Sequence, residues 1–240
     1  MAPTLALLGA GPVLGLALAR RFGREGFRVA LVARTGATLD DLTARLAADG
    51  VEAVGFTADV YDRDRIAAVT EEITARFGRI DVVAFSPGGG TADVGIASAL
   101  DVTPDNLRPL LDRFVLTAVA LVRAVLPAMT ARGDGTILFT GGQSGLHPTP
   151  HLGNMGMAQA ALRNYAHTLH SALAAKGVHV GVVNIGALIE GSVPHVALTS
   201  APGRLDFTPE VIGPEAVAEH YWDLHVRRDR PESLVGDLGR

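Results

Sequence analysis

Three groups of residues have the types and spacing to do chemistry. The first is the glycine-rich turn in LALLGAGPVLGLALARRFGREGFRVALVART, where Gly9, Gly11 and Gly15 fall between an apolar run and a segment of helical period. Such a turn lets backbone N–H groups approach a pyrophosphate at the start of a helix. Val13 and Leu14 complete it, and the Cβ branch of Val13 predicts crowding where a phosphate needs close approach. The second group is Arg34 with Thr35, closing the next apolar run. Domains selective for NAD place an acidic residue there against the ribose 2′-hydroxyl, whereas an arginine suits a 2′-phosphate. The expected cofactor is therefore NADP(H), with an ordinary solvated arginine at a strand end as the plain alternative.

The third group lies in FTGGQSGLHPTPHLGNMGM, which offers Thr140, Gln143, Ser144, His147, His151 and Asn154. His147 and His151 have the side chain that trades protons near neutral pH, and Gln143 or Ser144 could hydrogen-bond a substrate oxygen. Surface or packing roles in a proline-rich loop compete for each histidine. No metal site is expected, because the histidines and carboxylates show neither HExxH nor a comparable ligand spacing. Asp81 opens a strand at the opposite end from these groups and makes a poor partner for Glu190. Tyr221 and Trp222 read as core or subunit contacts.

Positioning these groups requires short apolar runs alternating with helical segments, the pattern of repeated βα units. Strands are predicted near Thr4–Leu8, Arg28–Ala33, Glu52–Thr57, Asp81–Phe85, Thr136–Thr140, His179–Ile185 and Ser233–Val235. Thr38 followed by Asp41 predicts a helix start, with Gly50 after its end. A long helix is expected over Asp105–Arg132, another over Met155–Lys176 and a last one from Pro214. The stretch 188–213 lacks periodicity and is expected to form a substrate lid. The fold class is thus α/β, a doubly wound and mostly parallel seven-stranded sheet with helices on both faces, in one domain over residues 1–240.

Composition agrees. Hydrophobic residues make up 48% and aromatic residues 5%, a supply of small aliphatic side chains suited to buried parallel strands. A net charge of -4 gives no surface for tracking nucleic acid, so small molecules are the expected partners. No cysteine is present, which fits a cytoplasmic protein and excludes thiolate chemistry. No run of about eighteen uninterrupted apolar residues is seen, so no membrane span is expected.

In motif order the chain resembles the short-chain dehydrogenase/reductase family, whose fold is of the Rossmann type. DVVAFSPGGG falls where that family has DVLVNNAG, VRAVLPAM matches the end of its fourth helix, and GTILFTGGQSG matches the strand that carries its serine. The resemblance adds Asp59 and Val60 beside the adenine, and Ser86, Gly88 and Ile189, to the cofactor-binding residues. Asp59 would look the same as a helix cap. It also places the family's Asn-Ser-Tyr-Lys tetrad at Phe114, Gly142, Met155 and Gln159, where none of the four is kept. Methionine has no proton to give, glycine has no hydroxyl and glutamine is neutral, so the usual relay is lost. Gln159 retains the ability to hydrogen-bond a ribose. The expected function is a divergent NADP(H)-dependent oxidoreductase acting on a small carbonyl, imine or enone with a non-standard proton donor. The alternative is a non-redox relative: a cofactor sensor, a partner subunit, or an isomerase, cyclase or lyase reusing the pocket. The resemblance implies a homodimer or homotetramer, with Ala118, Ala120, Ala158, Ala160 and Ala161 permitting close helix contact.

Overall fold

The run TLALL is apolar on both faces, a pattern useful only to a central strand covered by helices on each side. In the computed structural model, which describes residues 2–87, 94–200 and 210–236, this run is β1 (Thr4–Leu8). There follow α1 (Leu14–Gly23), β2 (Arg28–Ala33), α2 (Gly36–Ala48), β3 (Ala53–Thr57), α3 (Arg63–Phe77) and β4 (Val82–Phe85). Then come α4 (Pro104–Leu110), α5 (Thr117–Arg132), β5 (Gly135–Gly142), α6 (Gly153–Leu173) and β6 (Val178–Ile185). The described chain closes with β7 (Leu188–Ile189), α7 (Val193–Thr199), β8 (Val211–Ile212), α8 (Pro214–Arg227) and β9 (Glu232–Val235).

Seven strands form one parallel sheet in the order β3-β2-β1-β4-β5-β6-β9. The chain reverses its direction of travel between β1 and β4, so a crevice opens at the carboxyl ends of these strands. Alternate residues of β1 serve the two faces. Ala6 and Leu8 join a core with Ile66, Phe77, Leu121 and Leu162 from α3, α5 and α6, while Leu5 and Leu7 join Leu18, Phe22, Leu42 and Tyr221 from α1, α2 and α8.

Several boundaries differ from expectation. The helix after β2 starts at Gly36 with Thr35 as its N-cap, so Thr38 lies inside it and its hydroxyl bonds Thr35 Oγ1 at 2.7 Å. The helix expected from Asp105 to Arg132 is continuous, but Leu111–Leu116 between α4 and α5 is wound as a π-helical turn. The Thr117 N–H bonds the Asp112 carbonyl, five residues back, and Thr117 Oγ1 bonds the same oxygen at 3.0 Å. Contrary to the expectation of no span, Pro104–Arg132 reaches a mean hydropathy of 1.9 and is long and apolar enough by composition to cross a membrane, although charged residues interrupt it. In this fold the helix packs on α3 and α6. The 188–213 stretch is not wholly irregular: β7 and β8 pair in parallel and Ser192 caps α7, while residues 201–209 lie outside the described residues. Ala118 and Ala158 are buried within the chain's own core and so take no part in a helix contact between subunits, whereas Ala120, Ala160 and Ala161 keep exposure.

At the amino end of the sheet, Asp81 accepts from the Thr4 N–H at 2.8 Å, a structural bond far from the crevice. Histidines gather nearby: His179 is buried edge-to-face against His170 at 5.3 Å, and His225 Nδ1 lies 3.0 Å from Thr136 Oγ1.

Candidate functional site

The turn after β1 is shaped by close backbone approach. Gly9 has φ 91°, and a Cβ there would stand 2.7 Å from Pro87 Cα and Ser86 O, so the end of β4 leaves room for glycine alone. A Cβ at Gly15 would come within 3.1 Å of Ala10 Cα, which seats the start of α1 on the turn. Gly11 has no such neighbour: nothing lies within 4 Å of its Cβ position. Val13 is the N-cap of α1, at φ -107° and ψ -93°, and gives the helix no side-chain cap. Its Cγ2 leans toward the segment before α7, 3.8 Å from the Cβ position of Gly191. A helix start with no side-chain cap presents N–H donors and a positive dipole end to an anion, here beside the open face of Gly11.

Arg34 and Thr35 are exposed at the end of β2, and among the described residues the Arg34 guanidinium has no partner. Asp59 is not the cap of α3. That role falls to Asp62, which accepts from the Asp64 and Arg65 N–H groups, while Asp59 accepts from the Tyr61 N–H at 3.0 Å. Val60 is core, and Ile189 is half-buried in β7. Ser86 is buried after β4 on the side of the Tyr221 hydroxyl, which meets Thr140 Oγ1 at 2.5 Å. Burial pushes the Tyr221 phenol well above the usual range, so this tyrosine stays protonated beneath the crevice. Gly88 lies outside the described residues.

The four tetrad positions converge. Gln159 Oε1 accepts from the Gly142 N–H at 3.0 Å, and Gln159 Nε2 reaches Met155 Sδ at 3.6 Å. Met155 and Phe114 are buried together with Leu110 and Ala158, and Val94 and Leu152 pack onto them. Phe114 rides on the π turn. An apolar wall therefore occupies the corner where the family's proton relay would stand, in keeping with the expected loss of that relay.

The loop candidates separate. Gln143 is turned away from the crevice: it is buried and its Nε2 donates to the Val235 and Gly236 carbonyls at 3.3 and 2.6 Å, a tie between β5 and the end of β9. This corrects its reading as a substrate contact. Ser144 is buried beside Gly142, with Oγ 3.7 Å from the Cβ position of that glycine. His147 is half-buried and His151 exposed, and neither ring has a partner among the described residues. Asn154, only one of several polar groups in the sequence, is a fully buried hub: it accepts from the Ala97 and Met155 N–H groups and donates to the Gly95 and Asn106 carbonyls. Glu232 was not foreseen either. Arg163 bonds both its oxygens at 2.7 Å, Asn184 and His167 reach the same carboxylate, and the Arg163 bonds hold it below the usual carboxylate range.

A parallel sheet of this order, with a glycine turn at its switch point, defines a Rossmann-type α/β protein. A family model described as short chain dehydrogenase matches residues 4–191, and the chain belongs to that family. Over 181 residues it is 28% identical to Oxidoreductase asL5 of Sarocladium schorii, covering 75% of this chain and 70% of the relative. An L-sorbose reductase from Gluconobacter frateurii, solved with NADPH and L-sorbose, superposes with a TM-score of 0.82 at 23% identity, over 100% of this chain and 97% of that one. A short chain oxidoreductase from Pseudomonas aeruginosa PAO1, solved in its apo form and described as containing an atypical catalytic center, superposes with a TM-score of 0.85 at 20% identity, over 99% and 96%.

Proposed function

We propose that the protein binds NADP(H) at the carboxyl ends of β1, β2 and β4 and acts as an oxidoreductase on a small, fairly apolar carbonyl, imine or enone. One observation carries this: the β1–α1 turn offers an open Gly11 face and a helix start without a side-chain cap, with the unpaired Arg34 at the end of the adjacent strand. The NADPH bound by the sorbose reductase of the same fold supports it. When bound, this cofactor supplies a hydride. Gly9, Gly11, Leu14 and Gly15 would hold its pyrophosphate, Arg34 and Thr35 its 2′-phosphate, and Asp59 and Val60 its adenine. Ser86, Gln159 and Ile189 would flank the nicotinamide half. The wall of Phe114 and Met155 has no acid, so the proton comes from His147, His151, the substrate or water.

Fluorescence titration with NADPH and NADH tests the reading. NADPH is expected to bind more tightly, and Arg34→Ala to weaken NADPH about tenfold while leaving NADH unchanged. Absent NADPH binding, or equal weakening of both, overturns it. Val13→Gly is expected to tighten both dinucleotides roughly two- to tenfold by removing a branched side chain from the start of α1. An unchanged or weaker affinity would show that Val13 does not crowd them.

A second reading has its own observation. The Gln159 amide already accepts from the Gly142 N–H and donates to the Met155 sulfur, which suits a cofactor sensor, a partner subunit, or an isomerase, cyclase or lyase. Tight NADPH binding without oxidation across a panel of ketones, imines and enones would favour it. A homodimer or homotetramer joined through the exposed faces of α5, which carries Ala120, and α6, which carries Met157 and Ala160, is proposed with either reading and is checked by sedimentation.

A further inference from the structure

Gly142 removes a hydroxyl from the corner, yet another hydroxyl stands beside the gap. A Cβ at Gly142 would find only ordinary van der Waals neighbours, with Ser144 Oγ at 3.7 Å and Gln159 Cγ at 3.7 Å. Ser144 is 7% exposed, and its Oγ bonds none of the described residues while keeping contact with solvent. The hydroxyl is therefore deeply placed, open to solvent and not tied up by the protein, so a ligand oxygen can take the place of water on it.

The turn that carries it is fixed from both sides. Gln143 ties it to the end of β9, and Gly145 packs so closely on α6 that a Cβ would stand 2.6 Å from the Gln159 carbonyl carbon. Gly156 admits the Ser144 carbonyl, which lies 3.1 Å from its Cβ position. The backbone that carries Ser144 is thus held in place. Gln159 is oriented in the same way: the Gly142 N–H holds Oε1, which directs Nε2 toward Met155. An amide nitrogen has two N–H groups, and the thioether is a weak acceptor for the one it meets.

We infer that Ser144 Oγ–H and Gln159 Nε2–H form a pair of neutral donors that holds the oxygen of a small ketone or enone. Phe114, Met155 and Leu152 supply the apolar wall for the hydrocarbon part of that molecule. The inference rests on the proposed function and narrows it, because the pair recognises a carbonyl oxygen and offers nothing to a cationic imine. Neither group gives up its proton. Each stabilises partial negative charge on the oxygen through a hydrogen bond.

The probe is cyclohex-2-en-1-one carrying ¹³C at its carbonyl, read by infrared difference spectroscopy with and without NADPH. The bound carbonyl stretch is expected to move to lower frequency than in hexane. Ser144→Ala is expected to reverse much of that move and weaken binding about five- to tenfold, and Gln159→Leu to do likewise. The double variant Ser144→Ala with Gly142→Ser is expected to regain affinity and shift, since the structure leaves room for that side chain. No probe binding to the native protein, or an unchanged stretch in folded Ser144→Ala, overturns the inference. A failure to bind NADPH with the carbonyl signature intact would overturn the proposed function instead.

Discussion

Asn154→Ala is expected to lower the unfolding free energy by about 3–5 kcal/mol and the thermal midpoint by about 10 °C. Asn154 is wholly buried where α6 begins, and its partners come from chain far away in sequence: Ala97 N–H at 2.9 Å, Gly95 carbonyl at 3.2 Å and Asn106 carbonyl at 3.1 Å. Alanine takes the partner from two N–H groups, those of Ala97 and Met155, and from the Gly95 and Asn106 carbonyls. Each such orphan costs about 1–3 kcal/mol, which outweighs the small gain from burying a methyl group. Gly153 prevents local compensation, because its Cβ position is 2.6 Å from Ala99 Cα and the two segments already touch. Equilibrium urea unfolding gives the answer, and a loss below about 1 kcal/mol would show that the hub is not holding the segment. Because Val94 begins that segment and packs on the Phe114–Met155 wall, the same variant is expected to loosen enone binding.

Acidification is expected to remove a comparable amount of stability between pH 6.5 and pH 4. Burial pushes His179 and His225 each down to about 4, with Arg228 adding to the effect on both. His170 and His225 also lower His179, while Asp229 opposes it, and Asp134 and Asp81 oppose the shift at His225. A histidine depressed in the folded state takes up its proton first in the unfolded chain. Its full contribution is present above the unfolded value near 6.5, declines as pH falls, and is gone below about 4. Each histidine contributes about 2–3 kcal/mol on this basis. Glu232 is a carboxylate with a lowered pKa, so its contribution begins to be lost only near the ordinary carboxylate value, at the acid end of this window, and continues to fall below it. Urea midpoints at pH 7, 5.5 and 4 check the trend. His179→Asn should flatten it, and a native protein with pH-independent midpoints would refute it.

The fold was legible because the signals that define it are local. Apolar runs of four to eight residues, each ending at the carboxyl edge of the sheet, identify the parallel strands directly. Thr38 misled because its neighbour Thr35 has the same side chain three residues earlier, and backbone extension at Thr35 decides between them. The positions of the lost tetrad were also legible, since Gly142, Met155 and Gln159 keep family spacing and do meet in space. Roles set by distant partners were not. Gln143 and Ser144 are adjacent and equally polar, yet one faces the end of β9 and the other the corner, a difference fixed by contacts some ninety residues away. Asn154 resembles any polar residue at a helix start until its three long-range partners are known.

The π turn at Leu111–Leu116 acts as a phase shift in an otherwise regular screw. One surplus residue there advances everything upstream by about 100° of rotation relative to α5. Arg113, Phe114 and the Asn106 carbonyl owe their headings to that offset, and a single-residue deletion would turn α4 as a block. Phe114 stands where the resemblance places an asparagine, and the angular offset is built into the backbone that carries it. The spacing of the whole crevice wall depends on that offset, whatever side chain now stands at position 114.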